Sequence, residues 1–74
     1  MIVTIMGVDM EITPAEGVRE KDVCHALCEM ILALVYANKH CKEKNMPITA
    51  GLYTESAMDI FSAIDKTGYF ELYK

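Results

Sequence analysis

Positive charge is scarce in this chain. Seven Lys and Arg stand against eleven Asp and Glu, a net charge of −4 over 74 residues. That balance argues against nucleic acid as the main partner, because neutralising phosphates takes clustered cations. The one basic group, Lys39, Lys42 and Lys44, is interrupted by Glu43 and reads as a helix end matched to its dipole. Long apolar runs are also missing. The longest, Met30 to Ala37, is far shorter than the roughly 20 residues a bilayer span requires, so no membrane partner is expected. Met1 to Met6 is apolar but has neither a basic flank nor a cleavage site, so no secretory signal is expected. A cytoplasmic protein, whole rather than processed, is the expectation. No glycine-rich loop follows a strand, which removes phosphate-cradling chemistry. Internal repeats, low-complexity stretches and linkers are absent too.

The chain has room for one small domain, residues 1–74, and no second core. More than half of its residues are apolar (53%), high for an object with so much surface. Part of that apolar area is expected to face a second subunit, making a homodimer. The three cysteines are an odd number without a disulfide-like framework, which points to a reducing compartment.

Ile2, Val3, Ile5 and Met6 form a first strand, interrupted by Gly7. Val8, Met10 and Ile12 then alternate with Asp9, Glu11 and Thr13, the period of a half-buried strand. One bent strand and a hairpin both fit. A bend at Gly7 is preferred, since no two-residue turn dipeptide is present. Thr13 to Gly17 is a loop. A long helix is expected from about Asp22, its N-cap, to Lys44, ended by Asn45 and Pro47. Val23, Leu27, Met30, Ile31, Leu34 and Cys41 form one apolar stripe, and Cys24, Cys28, Leu32 and Val35 a second, so the helix needs cover on two sides.

Pro47 to Tyr53 alternates like a strand, with Ile48, Ala50 and Leu52 on one face. Ala57, Ile60, Phe61 and Ile64 take helical spacing in a second helix stopped by Gly68. Tyr69 to Tyr73 reads as a last short strand. The methionines, spread over all elements, read as core filler. Tyr36, Tyr53, Tyr69 and Tyr73 suit a dimer seam. The fold class is therefore α+β: a two-layer sandwich of a small, mainly antiparallel sheet with two helices on one face. Its order is β-α-β-α-β with an extra N-terminal strand as an option.

Cys24 is the one residue from which covalent chemistry can be argued. Two residues inside a helix, it would feel the positive end of the dipole, which favours thiolate. The plainer reading is a small buried apolar side chain. A metal site is disfavoured. Cys24 and Cys28 share a face at i, i+4, but His40 and Cys41 lie four turns on, and two ligands are too few for structural zinc. No metal or other cofactor is expected. Paired carboxylates such as Asp9 with Glu11, or Asp59 with Asp65, read as solvated charges.

The stretch Asp22-Val23-Cys24-His25-Ala26-Leu27-Cys28 resembles the opening of the long helix in the YsxB-like ribosomal-processing cysteine proteases (Prp). Those are small cytoplasmic α/β proteins, usually dimeric, with Asp-Ile-Val-Cys-Ala-Ala-Val-Ser at this point. Ala57 to Phe61 and Tyr69 to Leu72 are similar to that family's last helix and strand. The resemblance implies Cys24 as nucleophile and the loop before it, with Pro14, Glu16, Gly17 and Asp22, as the substrate loop. The family pairs its cysteine with the histidine of Gly-His-Ala, about twelve residues upstream. Here that region is Asp9 to Thr13, with no histidine. His25 points about 100° away from Cys24, and His40 lies roughly 24 Å along the helix. The resemblance thus implies a non-catalytic or weakly active relative that binds a peptide or protein partner. An active cysteine peptidase trimming a short N-terminal extension of a ribosomal or phage protein is the alternative. An unrelated dimeric accessory protein is a third.

Overall fold

The computed structural model describes residues 1–72. The chain is α+β and mostly helical. Its elements are β1 (Ile2–Ile5), β2 (Val8–Glu11), α1 (Glu20–Glu43), α2 (Pro47–Lys66) and α3 (Tyr69–Leu72). The optional second strand at the front is present, as a two-stranded antiparallel sheet with Val3 opposite Met10 and Ile5 opposite Val8.

The segment turns back at Met6-Gly7 as a hairpin; the bend expected at Gly7 is not what forms. Both turn residues have positive φ, 51° and 80°, the signature of the tight I′ turn that matches strand twist. Gly7 takes that conformation freely. Met6 pays a steric penalty of about 1–2 kcal/mol there, offset by its N–H donating to Asp59 Oδ2 at 2.8 Å. A tertiary contact replaces the Asn-Gly dipeptide that local sequence lacks.

The expected strand at Pro47–Tyr53 is the first two turns of α2. Pro47 at the first helical position presets φ and has no N–H to leave unpaired. Ala50, Tyr53, Ala57, Ile60 and Ile64 recur at helical spacing through the whole segment, so one continuous stripe faces α1. The alternation seen over seven residues was a fragment of that longer period. Asn38 of α1 ties down this part of α2, donating through Nδ2 to the Ala50 carbonyl at 2.7 Å and to Thr54 Oγ1 at 2.6 Å.

The final strand is also corrected. Tyr69–Leu72 is a short helical turn, and Tyr73 lies outside the described residues. Gly68, at φ 81°, reverses the chain after α2, as the sequence indicates. Phe70 then stacks on Phe61, ring centroids 4.7 Å apart, with Tyr69 edge-on to Phe70 at 5.6 Å. Aromatic packing back onto α2 takes the place of sheet pairing.

Helix α1 begins two residues before the expected cap. Arg19 is the N-cap, and Asp22, at the third helical position, reaches back to accept the Arg19 N–H at 3.2 Å. Its carboxylate does the capping from inside the helix rather than ahead of it. The far end closes as expected from Asn45. Asn45, at φ 59°, donates to Lys42 O at 3.2 Å and Met46 to Cys41 O at 2.8 Å, the paired bonds of a Schellman end. The short connection makes α1 and α2 an antiparallel helical hairpin.

The core gathers Val3 from β1, Val23, Cys24 and Leu27 from α1, and Ile60, Ala63 and Ile64 from α2. It sits where the β-hairpin covers α2. The methionines expected as core filler are not in it: Met6, Met10, Met30, Met46 and Met58 are all exposed. Among the described residues the sheet has two strands, too few to cover them.

Candidate functional site

Cys24 is the fifth residue of α1, one turn deeper than expected. The dipole's influence falls off within the first turn. The side chain is 1% exposed, among the most buried in the protein. Its Sγ lies 3.5 Å from Thr67 Oγ1. The same hydroxyl is 2.6 Å from the Ile64 carbonyl and accepts the Tyr69 N–H at 3.2 Å. Thr67 has a single hydroxyl proton, and Ile64 O takes it. The cysteine S–H is therefore the donor toward Thr67. This arrangement finishes the end of α2, since the hydroxyl bridges a carbonyl and an N–H that a Schellman end would join directly.

No histidine serves this thiol. His25 turns outward and sits 3.7 Å from Glu29 Oε1, both side chains largely exposed. His40 lies at the other end of α1, exposed as well. Pro14, Glu16 and Gly17 lie in a solvent-exposed loop, where the Val18 N–H donates to the Ala15 carbonyl at 3.1 Å. The cleft nearest the start of α1, about 190 Å³, is lined by Lys21, Asp22, His25 and Tyr69 and by none of those three. Asp22 is occupied with Arg19, whose backbone N–H holds its carboxyl below the usual carboxylate value. The loop residues are thus exposed while Cys24 is buried, and Asp22 has a structural task.

Cys28 is half-buried, and burial pushes its thiol pKa up, with Cys24 adding to the effect. Cys41 is buried at the far end of α1. Among the described residues, no group of three or more His, Cys, Asp or Glu side chains is placed to hold a metal ion. No helix there is long and apolar enough to cross a membrane.

What the arrangement does offer is an uncovered apolar face. The second stripe of α1 divides: Cys24 turns into the core, while Leu32 and Val35 are 59% and 53% exposed. Across a groove of about 360 Å³, Val35 and Leu34 face Thr54, Ala57 and Met58 of α2. Met58 is 67% exposed and Tyr36 72%. The sequence located this stripe; Met58, assigned to the core, was missed because its place on α2 depends on how the two helices pack. No family model, curated protein or solved structure matches this chain.

Proposed function

We propose that this chain is a small non-catalytic interaction protein that presents the outer face of α1, flanked by α2, to a peptide or protein partner. The observation that carries the reading is the burial of Cys24. A nucleophile must reach a carbonyl carbon and have a base within hydrogen-bond reach. This thiol is shut in the core against Thr67, with no histidine beside it. The exposed Leu32, Val35 and Met58 supply the apolar surface a binding protein needs. Three unpaired cysteines support a reducing, cytoplasmic setting. Descent from the Prp-like proteases remains part of the proposal on the strength of Asp22 to Cys28. The observed order β-β-α-α-α differs from the one that accompanied the resemblance.

Timed iodoacetamide labelling of the native chain at neutral pH, read by peptide mapping, tests this. Cys24 and Cys41 are expected to label only at the rate of unfolding, and Cys28 slowly. Fast labelling of native Cys24 would remove the non-catalytic reading and justify a substrate search.

A further inference from the structure

We infer that the partner on the α1 face is a second copy of this chain, docked antiparallel across a twofold axis near Leu32. The inference rests on the reading of that face as an interaction surface and names its occupant.

Three observations carry it. The first is area. A compact monomer of 8.3 kDa should expose about 4,600 Å², whereas this chain exposes 5491 Å². The excess, about 900 Å² over the whole surface, leaves room for the roughly 800 Å² that each partner buries in a standard interface. The radius of gyration agrees: 13.5 Å, against about 11 Å for a compact chain of this length.

The second is self-complementarity. His25, Cys28, Leu32, Val35 and Lys39 fall on one line of α1 at spacings of three and four residues. The line is apolar in its middle, polar at both ends, and centred on Leu32. The midpoint of α1, Glu20–Glu43, falls between Ile31 and Leu32. A twofold axis there overlaps the two helices along their full length and sets Leu32 against its own copy, as an isologous interface requires.

The third is charge. Glu20, Asp22 and Glu29 outweigh Lys21 in the first half of α1, and Lys39 and Lys42 outweigh Glu43 in the second. Antiparallel docking brings each acidic half to the partner's basic half and opposes the helix dipoles favourably. A parallel pair would bring like charges together.

Sedimentation equilibrium of the full chain, from about 1 to 100 μM, tests the inference, alongside Leu32→Glu and, on the other flank of α1, Met30→Glu. The wild type and Met30→Glu are expected near twice 8.3 kDa at the upper concentrations. Leu32→Glu should run as a monomer, its Kd raised at least tenfold, with unchanged helical circular dichroism. Val35→Lys, also at an exposed position, should lose the dimer equally, which keeps the test decisive if Leu32→Glu does not fold. A wild type that stays monomeric throughout overturns the inference and leaves the face to a different protein. A dimer broken by Met30→Glu and spared by Leu32→Glu overturns it too. Neither result touches the labelling of Cys24, on which the non-catalytic reading depends.

Discussion

Asp59 holds a turn that lies 53 residues before it: its Oδ2 accepts the Met6 N–H at 2.8 Å. The bond joins the tip of the β-hairpin to the outer side of α2. It also explains how a methionine occupies a left-handed position that asparagine or glycine would fill more readily.

Two opposite outcomes follow from that contact. Asp59→Ala removes the acceptor and leaves Met6 strained, and is expected to cost about 1 kcal/mol. Met6→Asn keeps the bond and relieves the strain, and should stabilise by a similar amount. For a domain of this size each change moves Tm by roughly 4–8 °C. Thermal melts followed by circular dichroism check both. A neutral Met6→Asn would mean that the turn is not the I′ type.

Gly51 distinguishes a helix from a strand at Pro47–Tyr53. It lies inside α2, and a Cβ added there meets nothing within 4 Å. Gly51→Ala is expected to stabilise by about 0.5–1 kcal/mol. Gly51→Val should gain less, because β-branching is disfavoured in helices. If Val stabilised more than Ala in urea titrations, the segment would be extended.

Asp22 makes stability depend on acid. Its folded pKa is depressed by the Arg19 N–H. The contribution is therefore present above the unfolded value of about 3.9 and is lost as pH falls through the folded value. The Tm difference between wild type and Asp22→Ala should be largest at neutral pH and shrink below about pH 4. A difference independent of pH from 7 to 2 would show that ionised Asp22 is not the cap.

Thr67 joins the end of α2 to the buried thiol. Thr67→Val is nearly isosteric, but it removes the hydroxyl that accepts the Tyr69 N–H and donates to the Ile64 carbonyl. The expected cost is about 1–2 kcal/mol, measured by urea denaturation. Cys24 labelling should accelerate in step with the lost stability if opening of the fold is what exposes the thiol.

What the sequence by itself determined are the features set by local chemistry. The α1 helix follows from an apolar period of 3.6 residues sustained over 24 residues, and its end from Asn45. The reversal at Gly68 needs a residue free to take positive φ. The two stripes of α1 were legible because periodicity survives without knowledge of neighbours. The tertiary structure decided the rest. Ile48 to Tyr53 has β-favouring residues and a short alternation, yet continuing the buried stripe of α2 from Ala57 back to Ala50 outweighs a weak local preference. The hairpin depends on Asp59, which no local window contains. The fate of Cys24 was set by Thr67, 43 residues away. Its position suited a reactive thiol, but folding put the end of α2 over it and left Leu32 and Val35, on the same stripe, open to a partner.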